Sequence, residues 1–167
     1  MSHISVGVEY ALHCLLYLTG PPNGVAVASV RDLADLQGLP IDFVAKLFTK
    51  LRKAGLTTST EGKGGGFRLA KSPSSISVLD VVSAIDGDKP LFDCREIRAQ
   101  CAIFDGRPPS WATDSVCSIH AVMLDAEKRM REALASQTLA KLAARTEAKV
   151  PRAFGASVVH WIASRKI

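Results

Sequence analysis

No stretch of this chain is both long and apolar enough to cross a bilayer. The most apolar early run, Ala11–Leu18, carries His13 and falls well short of the ~20 residues a spanning helix needs. Met1–Glu9 lacks the basic opening of a secretory signal, so the expected location is cytoplasmic, with no membrane partner. Internal repeats and low-complexity tracts are missing. So are a phosphate-loop or dinucleotide fingerprint and a nucleophile–base pair at recognisable spacing, which argues against an enzyme. The chain has only four cysteines, and none stands in the C-x2-C pair usual for zinc. In a reducing compartment such thiols point to metal or redox chemistry before structural disulfides.

What is present is enough apolar sequence for a core, and a positive bias. Of 167 residues, 47% are hydrophobic, which suits one globular domain or a small domain with an appended helix. A net charge of +5 favours an acidic partner such as nucleic acid. The stretch that organises the rest is Leu47–Ala70, LFTKLRKAGLTTSTEGKGGGFRLA. It reads as the end of a basic amphipathic helix, a glycine stop, a strand, a glycine-rich tip and a returning strand.

Val44, Leu47, Phe48 and Leu51 follow the i, i+3, i+4, i+7 spacing of one buried helical face. Asp42, Lys46, Thr49, Lys50 and Lys53 occupy the opposite face. Pro40 suits the start of this helix and Gly55 its end. From Lys46 to Lys71 there are seven basic residues against one acid, Glu61. Lys and Arg clustered on a helix and wing are the footprint of duplex binding, because neutralised phosphates release counterions. Lys46, Thr49 and Lys50 are expected to reach the major groove, with Lys53 on the same face. Lys63 and Arg68 are expected on the backbone or minor groove.

A first helix is expected over Ile4–Thr19, with Cys14 as a small core residue. After the Gly20–Gly24 loop, Val25–Ala28 reads as a short strand. Ser29 and Asp32 cap a second helix ended by Gly38, so helices two and three form a helix-turn-helix. The fold class is mainly α with a small β-wing: a winged helix-turn-helix domain plus a long dimerisation helix. Lys71–Ser75 reads as a polar linker around Pro73. Ser77 and Asp80 repeat the capping signature before a helix over Val78–Ile85. Asp93–Val116 shows no periodicity. A long helix opens at Ser118, with Ile119, Val122, Met123, Ala126, Met130, Ala133 and Leu134 at heptad-like spacing. A partner subunit is the natural acceptor for that stripe, and a homodimer would match a palindromic operator on double-stranded DNA. Thr138 caps a last helix through Ala144. Beyond it, Phe154, Val158, Val159 and Trp161 suggest that part of the tail docks.

Cys94, Cys101 and Cys117 are spaced C-x6-C-x15-C, and Cys117 with His120 makes C-x2-H. Three thiols and an imidazole suit zinc or an iron–sulfur cluster, and thiolate switching without metal, by sulfenic acid or disulfide formation, is also open.

These segments together resemble the Rrf-two family of winged helix-turn-helix transcriptional regulators. The resemblance rests on EYALHCLLYL, DLADLQGLPIDFVAKLFTKLRKAGL, GKGGGFRLAKSPSSISVLDVVSAIDG, the three cysteines and CSIHAVMLDAEKRMREALASQTLAKL, across about Ile4–Leu142. It implies a homodimeric regulator, expected to be a repressor, with each loop cradling a cluster near the partner's first helix. Cys94, Cys101, Cys117 and His120 match the ligands of a 2Fe-2S cluster, the preferred type. Glu9 matches the carboxylate that caps a 4Fe-4S cluster in another family branch. The implied layout is a DNA-binding domain over 1–75, a connecting helix over 76–92 and a sensor loop over 93–117. The dimerisation helix and its successor take 118–146, and a tail takes 147–167. Two features depart from the family: the long gap between Cys101 and Cys117, and Glu61 where a wing arginine is common. The second should alter operator preference and pass the wing contact to Lys63. Cluster-free thiol or ligand sensing, and regulation by docking to a metabolic enzyme, stand as alternatives within the same resemblance.

Overall fold

The computed structural model describes residues 3–21, 24–62 and 64–165. The chain divides into two compact units, Met1–Asp88 with Leu134–Ile167, and Lys89–Ala133.

The first unit begins with α1 (Val6–Tyr17), α2 (Val30–Gln37) and α3 (Ile41–Lys53). The expected face of α3 is the buried one: Val44, Leu47, Phe48 and Leu51 are at most 4% exposed. Burying a side chain of that size contributes roughly 1.5–3 kcal/mol, so this face fixes how α3 sits on α1. Ser29 accepts from the Asp32 N–H and caps α2, a contact typically worth about 1 kcal/mol. α3 stops in a paired-hydrogen-bond glycine cap. Gly55, at φ 69°, donates to the Arg52 carbonyl, and Leu56 donates to that of Leu51, both at 2.9 Å.

The wing is an antiparallel pair, β1 (Thr57–Thr60) with β2 (Gly66–Leu69), in register Thr57–Leu69 through Thr60–Gly66. Phe67 stacks at 4.8 Å on Phe48, so the wing is anchored to the buried side of α3. The strand expected at Val25–Ala28 reduces to one bridge, Ala28 with Phe67. Val25 instead donates to the Tyr17 carbonyl, which ties this segment to the end of α1.

The Lys71–Ser75 linker contains a 3-10 turn at Pro73–Ser75. α4 (Val78–Asp86) carries the full capping box read from Ser77 and Asp80. α7 (Leu139–Glu147) is capped by Thr138 and runs one turn past its expected end. Bonds from Val78 to the Gln137 carbonyl and from Leu139 to the Ile76 carbonyl join the starts of α4 and α7. The tail is a helix, α8 (Arg152–Ser164), with Val158 and Ile162 in the core. The apolar residues that suggest docking, Phe154, Val158, Val159 and Trp161, all lie on it.

The second unit holds the stretch expected to be irregular. It contains 3-10 turns at Ile97–Gln100 and Ala102–Phe104, the four-residue helix α5 (Ser110–Thr113), and most of α6 (Ser118–Ala135). Ala112 is its buried anchor, and Phe104 meets Trp111 edge-on at 5.6 Å. Short turns of this kind leave no helical or strand periodicity in the sequence.

Candidate nucleic-acid interface and cysteine recess

On α3, Lys46, Thr49 and Lys53 lie exposed on the side away from the core, as the helical spacing requires. Thr49 donates its hydroxyl to the Ala45 carbonyl at 2.9 Å, leaving its methyl group on the surface. Arg52 is also exposed beside this row. Its position three residues after Thr49 sets it at the edge of that row, a placement legible from helical spacing. Lys50 behaves differently. It lies at the flank of the row, and its ammonium donates to the Ile85 carbonyl at the end of α4, at 2.5 Å. Arg68 is exposed on β2 and bonds to Thr58 across the strand pair at 3.2 Å. Lys63 lies outside the described residues.

In the second unit, Cys94, Cys117 and His120 line one recess of about 270 Å³, along with Phe92, Glu96 and Arg98. The imidazole of His120 packs 6.2 Å from the Phe92 ring. The Leu91 N–H bonds to the Glu127 carboxylate at 3.0 Å, tying the chain before Cys94 to α6. Cys101 does not line the recess; it is exposed between the two 3-10 turns. Among the described residues, no group of three or more His, Cys, Asp or Glu side chains is placed to hold a metal ion. Glu9 is exposed on α1, in the first unit.

Arg98 organises the recess. Its Nε bonds to the Glu96 carboxylate at 2.6 Å, and its Nη2 bonds to the Ser115 carbonyl at 2.5 Å, closing the loop between them. The bond to Glu96 holds the guanidinium pKa above its ordinary value, and Cys117 and Cys94 push the same way more weakly. In return, the Arg98 bond lowers the Glu96 pKa, with His120 adding a smaller pull. A guanidinium thus shares the recess with the two thiols.

Among the described residues, no helix is long and apolar enough to cross a membrane. The sequence model of the Rrf2 family, described as iron-dependent transcriptional regulators, matches residues 4–145. An HTH-type transcriptional regulator of Mycobacterium tuberculosis is 34% identical over 140 residues, 84% of this chain and 80% of that protein. The HTH-type regulator IscR of Klebsiella pneumoniae is 33% identical over 113 residues, 68% of this chain. The match spans 63% of that protein's length. CymR, the global cysteine regulator of B. subtilis, shares the fold with a TM-score of 0.66 at 22% identity, covering 87% of this chain and 98% of that one. IscR of T. potens gives 0.64 at 24% identity, covering 90% and 93%. The matched proteins are transcriptional regulators, not enzymes, and the winged helix-turn-helix is their DNA-binding part. The chain belongs to the Rrf2 family of transcriptional regulators.

Proposed function

We propose that the chain acts as a homodimeric repressor of a palindromic operator, with operator affinity set by an iron–sulfur cluster held at the cysteine recess. The observation that carries this reading is the shared recess of Cys94, Cys117 and His120. Two thiols and an imidazole are soft donors of the kind such a cluster takes, and they fit its chemistry. Cys94, Cys117 and His120 would hold it, with Cys101 brought in from its exposed turn as the remaining thiol. Glu9 of a second copy is the other candidate ligand. When bound, the cluster would supply a response to oxidants, nitric oxide or iron supply.

The chain's own residues do the rest. Arg98, bonded to Glu96 and Ser115, holds the loop closed around the thiols. Lys46, Thr49, Arg52 and Lys53 face the duplex from α3, and Arg68 meets the backbone from the wing. The dimer is supported by α6, where Ile119 and Val122 are 64% and 66% exposed. Apolar side chains that open on one helix call for a partner.

The test is the visible spectrum of protein purified without oxygen, with iron and sulfide assayed on the same sample. A brown protein absorbing near ~400 nm, as expected of thiolate-bound iron–sulfur clusters, and bleached by Cys101→Ala supports the reading. Colourless, iron-free protein that still binds a palindrome sinks it.

A second reading is favoured by the Arg98 guanidinium beside Cys94 and Cys117. In it the thiols themselves are the switch, oxidised by peroxide to a sulfenic acid or a disulfide. Reduced, metal-free protein would then bind fully, and hydrogen peroxide would abolish binding until thiol is added.

A further inference from the structure

α8 lies beyond the residues matched by the family, which end at 145. It closes one side of a cavity within the first unit. The cavity has a volume of about 280 Å³ and lies between the end of α1, the Pro73 turn, α7 and the start of α8. Leu16, Ala143 and Phe154 supply apolar wall. Of the polar side chains, Thr19 and Thr146 give their hydroxyl protons to the Leu16 and Leu142 carbonyls, which leaves Tyr17 and Glu147 as the stronger partners for a polar group. We infer that this cavity is a binding site for a small aromatic amine, and that its occupancy is passed to the helix-turn-helix through α8.

The walls set the body of the ligand. A space of this size takes a fragment of about ten non-hydrogen atoms, and an apolar lining favours a ring over a polar chain. An unpaired charge inside such a lining would be costly, so any charge must meet a counter-charge. Glu147 is the one ionised side chain among the described lining residues. It is also the last residue of α7, where the helix dipole adds negative potential. Both favour a cation at the mouth and oppose a carboxylate. The rings of Tyr17 and Phe154 add the faces on which an ammonium is attracted. Tyr17 is half-buried, and burial raises its pKa, with Cys14 adding to the effect, so it remains a neutral hydroxyl free to bond a ligand.

The other end of α8 supplies the connection. Val158 and Ile162 fix the helix in the core. Past its last turn, Arg165 bonds to Asp32 at 2.8 Å and also to Asp35, while its guanidinium lies 4.3 Å from the Trp161 ring. Asp32 and Asp35 belong to α2, the first helix of the helix-turn-helix. The same Asp32 carboxylate takes the Ser29 hydroxyl at 2.6 Å, so Arg165 grips the cap of α2 itself. One helix therefore has Phe154 in the cavity wall and, just past its last turn, Arg165 on the DNA-binding motif.

The probe is phenethylamine, titrated into isotope-labelled full-length protein without DNA and followed by amide chemical shifts. Phenylacetate, with a similar ring and the opposite charge, is the control. Saturable shifts are expected in Leu16–Gly20, Ala140–Glu147 and Phe154–Gly155. Glu147→Gln should weaken binding at least tenfold, and phenylacetate should bind at least tenfold more weakly than the amine. Ala143→Phe, which fills the cavity, should abolish saturation while the melting curve stays cooperative. Shifts should also reach Asp32–Asp35 in the wild type and vanish there in Arg165→Ala. Unsaturable shifts, equal binding of amine and acid, or unchanged affinity in Glu147→Gln would overturn the site. Saturation at the cavity with α2 unmoved, or moved equally in Arg165→Ala, would overturn the connection.

Discussion

Lys50 of α3 and Ile85 of α4 are joined by one hydrogen bond, ammonium to main-chain carbonyl, at 2.5 Å. The carbonyl belongs to the last turn of α4, where a cation is favoured by the helix dipole. The next residue, Asp86, takes bonds from the Ser5 N–H and hydroxyl at 2.8 and 2.5 Å. The start of α1, α3 and the end of α4 thus meet at one point, three residues before the second unit begins. Lys50 is exposed on α3, yet its ammonium here serves a main-chain carbonyl.

Lys50→Ala should therefore lower stability by about 1 kcal/mol, the worth of a partly exposed charged hydrogen bond. Its effect on operator affinity should come without a change in salt dependence. Thermal melts and anisotropy titrations at several salt concentrations separate the two. A slope reduced by a full unit with an unchanged melt would return Lys50 to the DNA contacts.

Lys46 and Lys53 should behave in the opposite way. Both are exposed on the free side of α3, where neutralising a phosphate releases about 0.9 of a counterion per contact. Lys46→Ala and Lys53→Ala should each reduce the salt slope by about one and weaken all duplexes alike, with little change in melting. Loss confined to one operator sequence would mean that they read bases instead.

How far the sequence discloses this protein depends on the range of the interactions. The buried face of α3, the glycine stop at Gly55, the wing and the Ser77–Asp80 capping box are local, set within a few residues, and all were readable. The Lys50–Ile85 bond spans 35 residues, so helical spacing places Lys50 on the exposed face, where it lies, without disclosing its partner. α8 docks through Val158 and Ile162, with Trp161 against the same core, but its hold on α2 through Arg165 spans more than a hundred residues of chain, which no local pattern discloses. Spacing also grouped three cysteines that the chain folds apart: two share the recess, and Cys101 stands outside it on its own turn.

Cys14 divides from the other cysteines by chemistry as well as place. Its side chain is fully buried in α1, and desolvation pushes its pKa up to about 12. The thiol form is the unreactive one, so at about pH 8 iodoacetamide should label Cys101 first, then Cys94 and Cys117, and leave Cys14 untouched until the protein unfolds. Mass spectrometry of peptides after timed quenching reads the order. Early labelling of Cys14 in folded protein would show that α1 opens locally.

The proposed dimer makes a demand on α6. Among the described residues, none of this helix is buried, and Ile119 and Val122 stand open on it. Replacing both with Asp should cost the folded monomer little, because neither packs in the core, yet should break an interface built on that stripe. Sedimentation should show dimer for the wild type and monomer for the variant, with operator binding weakened in step. A wild type that sediments as a monomer, or a variant that remains dimeric, would move the interface elsewhere.

Gly66 shows how tightly the wing is seated. It opens β2 beside Ala28, and a Cβ built on it would stand 2.3 Å from the Ala28 carbonyl oxygen. That oxygen accepts from the Phe67 N–H at 2.8 Å, and the Phe67 carbonyl accepts from the Ala28 N–H at 3.1 Å. The pair holds Phe67 against Phe48 on the buried side of α3. Even one methyl group at Gly66 must push the strand off Ala28, since the obstacle is backbone and cannot rotate away. Gly66→Ala should therefore cost roughly 1–3 kcal/mol, the usual price of overpacking. It should also weaken DNA binding, because the wing loses its fixed angle to α3. Gly64→Ala is the control: no atom lies within 4 Å of a Cβ there, so its cost is limited to the strain of its positive φ, 85°. Equal melting losses in the two variants would mean that tip strain, not the Ala28 contact, governs the wing.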